Sequence, residues 1–340
     1  MNKSLRIAVV GALGAVGQEM LEILGTSSLP ISKIKALDTA TNVGKKVFCR
    51  GAKWLVEEAR PGSFTDVDIA LFSAGGAASA ELAPIAVAEG AIVVDNSSHW
   101  RMSEGVPLVI PEVNSQALLK HKGLIANPNC STIQMALVLK PLHDRFTITR
   151  VVVSTYQAVS GSGVAAIREL RTQSNAILAG KAVEAEVYPH QIAFNAIAQI
   201  DVFEDNGYTK EELKLVNETN KILESSIKIS PTAVRIPVFR GHSESLNIEF
   251  SQSYAIEEVV SILSQGPGIK VLDDPTLSQY PTPVDCTGKD LVYVGRIRRD
   301  ISLKRGLNLW IVSDNLRKGA ALNTVQIAEK LVELNLLNRR

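Results

Sequence analysis

"LRIAVVGALGAVGQEM" runs from Leu5 to Met20, and its reading decides the fold. A short run rich in Val and Ile ends in glycine, the pattern of a strand buried on both faces. Helical spacing takes over from Ala15. Between the two, Gly11, Gly14 and Gly17 form G-x-x-G-x-x-G, with Leu13 where the commoner fingerprint has its middle glycine. Glycines let the backbone come close to a pyrophosphate at a helix N-terminus, whose N–H groups and dipole attract anions. A glycine triplet alone marks a tight turn. Set between a strand and a helix, it reads as a dinucleotide site.

Working outward, "IKALD" (Ile34–Asp38), "DVDIALFSAGG", "AIVVDNSS", "PLVIPEVN" and "GLIANPNC" read as further strands, with the helical "AASAELAPIAVAEG" among them. This alternation predicts a Rossmann-like, doubly wound parallel sheet. After Cys130 the texture changes. "TRVVVSTYQAVSG", "TAVRIPVFRGH", "ESLNIEFSQ", "DLVYVGRIRRD" and "GLNLWIVSD" tend to alternate with period two, and the helical "GVAAIRELRTQSNAIL" and "TKEELKLVNETNKILES" lie between them. That predicts an α+β domain on a mostly antiparallel or mixed sheet. The expected division is a dinucleotide-binding domain over 1–128 and a catalytic and dimerisation domain over 129–314. A C-terminal amphipathic helix over 315–340 should pack back on the first. Residues 181–205 show no clean period and read as a packed excursion.

The chain has 340 residues, long for a single core. A net charge of +1 excludes the concentrated basic face of a nucleic-acid binder. No run of apolar residues reaches the length of a membrane span. Cys49, Cys130 and Cys286 stand far apart, without a CxxC or Cys/His cluster, so neither a metal site nor a disulfide framework is expected. Such cysteine usage suits a reducing, cytoplasmic compartment.

One cysteine has an unusual setting, "ANPNCSTIQ" (Ala126–Gln134). Residues before proline avoid the helical region, and from Ser131 a helix can run to Pro141. Cys130 therefore falls at a helix N-terminus, where the dipole favours a thiolate and backbone N–H groups can receive an oxyanion. A small apolar residue packed behind a turn is the plain alternative. A nucleophile needs an acid or base nearby. His99, His121, His143, His190 and His242 are all available, and spacing leaves the choice open, though His242 follows a strand end.

At this point the residues resemble a family. "GALGAVG", "NSSHWRM" (Asn96–Met102), "NPNCSTIQ" (Asn127–Gln134), "YQAVSGSG" (Tyr156–Gly163), "EELKLVNETNKIL" (Glu211–Leu223), "RIPVFRGHSES" (Arg235–Ser245) and "DNLRKGAALNTVQIAE" (Asp314–Glu329) are similar, in order and spacing, to the aspartate-β-semialdehyde dehydrogenases. The resemblance implies reductive dephosphorylation of L-4-aspartyl phosphate by NADPH, on the route to lysine, threonine, methionine and diaminopimelate. It implies Cys130 as nucleophile and His242 as acid/base, with Asn129 facing the oxyanion. Gln157, Glu211 and Arg235 would hold the substrate, and Arg101 and Lys214 its phosphate. The cofactor would meet Gly11, Leu13, Gly14, Ala15, Val16, Gly17, Thr41, Asn42, Ser160, Gly161 and Asn315. A homodimer is implied, with tetramers in reach.

One departure bears on NADP. Where relatives carry Arg-Ser after the second strand, this chain has Thr41-Asn42, and Asp38 stands at the strand end. An acidic residue there bonds a ribose hydroxyl and repels a 2′-phosphate. Weakened NADP selectivity, with use of NAD, is expected. Competing readings are another acyl-phosphate reductase such as N-acetyl-γ-glutamyl-phosphate reductase, a non-catalytic dinucleotide sensor and a cysteine hydrolase.

Overall fold

Strands that are apolar at every position need cover on both faces. β1 (Leu5–Val10), β5 (Ile69–Phe72) and β6 (Ile92–Asp95) are buried almost throughout. In the computed structural model, which describes residues 4–337, they form the middle of a seven-stranded sheet. The other elements of this first unit are α1 (Ala15–Thr26), β2 (Ile31–Asp38), β3 (Lys46–Cys49), β4 (Ala52–Glu58), α2 (Gly76–Ala88), the short α3 (Pro111–Asn114) and β7 (Leu124–Ala126). Strand order is β3-β4-β2-β1-β5-β6-β7, parallel except for the β3–β4 hairpin. Successive β1 residues serve opposite faces. Leu5, Ile7 and Val9 join one core with Met20 and Leu24 of α1. Ala8 and Val10 join the other with Leu82, Ala83 and Ala86 of α2.

The second unit, Cys130–Gly319, is inserted into the first. It contains α4 (Cys130–Phe146), β8 (Ile148–Gln157), α5 (Val164–Leu178), α6 (Lys210–Leu223), β9 (Lys228–Arg235), β10 (His242–Phe250), α7 (Ile256–Gln265), β11 (Ile269–Val271), the short α8 (Pro283–Cys286), β12 (Val292–Arg299) and β13 (Gly306–Ser313). Its six-stranded sheet, ordered β11-β12-β13-β10-β8-β9, is mixed. β8–β9 and β11–β12 are parallel and the remaining pairs antiparallel. Burial alternates along β8 and β10, and α4 packs on the covered face.

Three local expectations are corrected. "PLVI" adds no strand: Leu108 makes a single bridge to Ala126 and α3 follows. Pro141 does not end α4, which continues to Phe146. The C-terminal helix does not start at 315. The Asp314 carboxylate accepts the Leu316 and Arg317 amides and turns the chain. A π-helical turn (Arg317–Ala321) then leads into α9 (Leu322–Glu333), whose Val325, Ala328 and Leu331 complete the α1 side of the first core. Residues 338–340 lie outside those described.

Candidate active site

The order reversal around β1 opens a crevice at the carboxyl ends of β1, β2 and β5. A cleft of about 550 Å³ lies there, bordered by Gly11, Leu13, Gly14, Asp38, Asn42 and Ser73. Gly11 has φ +81°, and a Cβ on it would stand 2.4 Å from the Ser73 carbonyl oxygen. A Cβ on Gly17 would stand 2.1 Å from the Gly11 oxygen. Both glycines are thus required by close backbone approach. Gly14 caps α1 and Gly75 caps α2, neither with a side-chain acceptor, so amide donors remain at each helix start. A glycine-lined crevice with uncapped helix N-termini fits a dinucleotide.

Asp38 is committed within this loop. Its carboxylate accepts the Leu13 amide at 2.9 Å, the Thr39 amide at 2.8 Å and Asn42 Nδ2 at 2.7 Å. Burial alone would raise its pKa, but these bonds from Leu13, Asn42 and Thr39 outweigh it and hold the group below the usual carboxylate range. Asn42 Oδ1 in turn accepts from Lys45 at 2.6 Å, and Thr41 shares a hydroxyl contact with Thr39.

In the second unit the antiparallel pairing of β10 with β8 sets the start of one strand beside the end of the other. The parallel β8–β9 register places Gln157 directly across from Arg235. Gln157, Arg235 and His242 thus meet at one end of the sheet, all buried. Gln157 Nε2 donates to Glu211 Oε1 at 3.1 Å and to Thr155 Oγ1 at 3.3 Å. Arg235 Nη1 donates to the Ala158 oxygen at 2.8 Å, while its buried Nε has no acceptor.

His242 is more sharply defined. Its Nδ1 accepts the Ala158 amide at 3.0 Å, so the single proton of a neutral ring sits on Nε2, which has no partner. Burial, with the Arg235 cation adding to it and Glu211 opposing, lowers its pKa to about 3. A Cβ on Gly161 would come within 3.1 Å of Arg235 Nη1 and 3.2 Å of His242 Nε2. Gly161 therefore leaves open the space that both side chains address. Ser160 and Asn315 bond each other, and Asn315 Oδ1 accepts the Gly241 amide, fixing the residue before His242.

Glu211 stands in the first turn of α6, which a capping box starts: Thr209 Oγ1 accepts the Glu212 amide and Glu212 returns the bond. Lys214 reaches Glu211 at 3.1 Å and Asp201 at 2.9 Å. Burial would lower the Lys214 pKa, but these two carboxylates raise it overall.

Cys130 opens α4 and is partly accessible, whereas Cys49 and Cys286 are buried. Burial, Asp285 and Asp314 push the Cys286 thiol up to about 12. Arg101 and Asn129 belong to the first unit. There Arg101 Nε and Nη2 donate to the Asn127 and Asn96 carbonyls. The other histidines have separate duties: His121 and His143 each accept a backbone amide through Nδ1, His99 packs edge-on to Trp100, and His190 is exposed. Sequence reasoning missed Thr155, Asp201 and Glu244. Period-two alternation would have set Thr155 on the face of Gln157.

Comparison with known proteins agrees with this geometry. The family described as "Semialdehyde dehydrogenase, NAD binding domain" matches residues 6–121, and "Semialdehyde dehydrogenase, dimerisation domain" matches 139–318. The chain is 50% identical over 346 residues to the aspartate-semialdehyde dehydrogenase of Bacillus subtilis (strain 168), covering 99% of this chain and 100% of that protein. The chain belongs to the aspartate-semialdehyde dehydrogenase family.

Among solved aspartate-semialdehyde dehydrogenases, it is similar to enzyme II from Vibrio cholerae complexed with ASA. The identity there is 47% with a TM-score of 0.95, over 97% of this chain and 99% of that one. It is also similar to the Candida albicans enzyme with NADP, at 26% identity and a TM-score of 0.77, over 98% and 100%. The fold is the two-domain α/β fold of this family, with a nicotinamide dinucleotide as cofactor and a dimerisation domain. Among the described residues, no helix is long and apolar enough to cross a membrane, and no His/Cys/Asp/Glu group could hold a metal.

Proposed function

We propose that this chain interconverts L-4-aspartyl phosphate and L-aspartate 4-semialdehyde with NADPH, releasing phosphate, in the biosynthesis of lysine, threonine, methionine and diaminopimelate. The observation that supports the reading is the buried, unsatisfied His242 Nε2, which borders the space left by Gly161 together with Arg235 Nη1, while Arg235 Nε is also buried without an acceptor. A guanidinium suits the substrate α-carboxylate, and the Glu211 carboxylate suits its α-ammonium. Gln157, bonded to Glu211, keeps the amino-acid end in register with the thiol.

The Cys130 sulfur attacks the acyl carbon. A C–S bond forms, the C–O bond to phosphate breaks, and phosphate leaves; Arg101 and Lys214 are the cations proposed to offset its charge. A nicotinamide dinucleotide, when bound, would supply the hydride for the thioester carbon, and Ser160, Gly161 and Asn315 would hold it. His242 is neutral, so it serves through Nε2–H, donating to the oxygen that gains charge at this step, with Asn129 assisting. Collapse of the thiohemiacetal breaks the C–S bond, frees the aldehyde and returns the thiolate.

NADP is the proposed cofactor, with appreciable use of NAD. With no arginine at Thr41 or Asn42, a 2′-phosphate would depend on Thr39, Asn42 and Lys45. A homodimer through the second unit is the proposed assembly. The test is reduction of NADP+ by aspartate semialdehyde. Turnover should require phosphate, vanish in Cys130→Ala and be absent with N-acetylglutamate semialdehyde. Turnover that ignores phosphate would overturn the substrate class. Preference for NADP over NAD above about a hundredfold, or ~2.7 kcal/mol, would overturn the selectivity reading.

A further inference from the structure

Glu244 lies two residues beyond His242 on β10, pointing to the same face, and is fully buried. Neither carboxyl oxygen closes a well-formed hydrogen bond. The groups facing it come from every neighbouring element. β8 offers Thr155 directly across, and β13 offers Ile311 and, beside His242, Ser313. α4 offers Gln134, one turn beyond Cys130 on the same helical face. Among these neighbours only His242 titrates, and among the described residues Glu244 forms no ion pair. Each polar neighbour also leads to the reacting cluster. Thr155 Oγ1 accepts from Gln157, Ser313 donates to Gln134 Oε1, and Gln134 rides on the helix that Cys130 begins.

A bare carboxylate in this place is strongly disfavoured, so such a group takes up a proton instead. Resting on the activity proposed above, we propose that Glu244 stays a neutral carboxylic acid throughout turnover and acts as a positioning residue, joining the start of α4 to the end of the sheet that carries His242 and Gln157. Burial raises its pKa well above the ordinary value, and Gln134 offsets only part of this. Neutrality has a function. An anion here would oppose formation of the Cys130 thiolate and draw a proton onto His242. As an acid, the group can both donate and accept, which an ionised carboxylate cannot.

The test is Glu244→Gln, which keeps shape and hydrogen bonding but cannot ionise, beside Glu244→Ala. The glutamine variant should keep kcat within about threefold at neutral pH, and the alanine variant should lose about tenfold or more in kcat with little change in KM. Melting temperature is read for wild type and Glu244→Gln between about pH 5 and 9. A group protonated when folded and ionised when unfolded binds more protons in the folded state, so wild type should lose stability relative to glutamine as pH rises. Parallel melting profiles would overturn the proposal, as would a folded glutamine variant inactive at every pH. Melting needs no substrate, so that arm survives an error in the substrate assignment.

Discussion

Arg235 shows what a single side chain is asked to do. One nitrogen is spent on the Ala158 oxygen, and the buried Nε has no acceptor, which leaves donors for the carboxylate role proposed above. Arg235→Lys keeps the charge and loses the fork. kcat/KM for the semialdehyde should fall by about a hundredfold, from loss of one or two charge-assisted bonds worth ~1.5–3 kcal/mol each. An unchanged kcat/KM would remove the carboxylate role. His242 gives a stability signature. Folded, it titrates at about 3 against 6.5 for the ordinary group, so the folded state binds fewer protons between those values. Stability should rise with pH through that window by up to ~1.4 kcal/mol per unit and be fully present above 6.5. Urea melts of wild type and His242→Gln from about pH 4 to 7 should diverge accordingly, and parallel curves would show an imidazole that charges without cost. His242, Arg235 and Gln157 could be named from short motifs, because their chemistry is written in residue type. Glu244 could not be assigned, because its meaning comes from neighbours distant in the chain.

At the scale of elements, the π-helical turn Arg317–Ala321 places Gly319 against Cys130. A Cβ on Gly319 would stand 2.9 Å from the Cys130 Cβ, too close to be accommodated without displacement. Gly319→Ala should slow both turnover and alkylation of Cys130 by iodoacetamide while leaving the melting temperature within a few degrees. Labelling at the wild-type rate would mean that the turn yields instead. Periodicity made β1, α1, β5 and β6 legible, since each is long or wholly apolar. The β3–β4 hairpin was not legible. Its two-residue turn is Arg50-Gly51, with φ of 54° and 71°, where asparagine or aspartate before glycine is the usual signal. Arg50 holds that conformation through bonds to the carbonyls of Leu24, Ser27 and Leu29, which no local pattern announces. Pro141 misled for a related reason: packing of α4 in the second unit outweighs one missing helical bond.

For the molecule as a whole, the first core is finished only by the last helix. Val325, Ile327, Ala328 and Leu331 are buried with the α1 residues. At ~1.5–3 kcal/mol for each buried side chain, their contribution rivals the whole stability of an ordinary domain. A chain stopped after Gly319 should therefore lose the first unit's cooperative melting and its binding of NADPH, read by calorimetry and cofactor fluorescence. Retention of both would show that α9 is dispensable. The two-domain plan was legible because strand texture changes at Cys130. The course of the chain between β13 and α9 was not, because Asp314 turns it through bonds to its own following amides.

The close approach of Gly319 to Cys130 has a consequence for protein engineering. The two ends of the second unit, Cys130 and Gly319, are neighbours within it. On the first unit's side, Asn323 bonds Asn127 at 2.7 Å, so its two cut ends are also neighbours. The nucleotide-binding half is thereby a ready host: a few glycines joining Asn129 to Ala320 would close it, and foreign catalytic cassettes with adjacent termini could be set into the same seam.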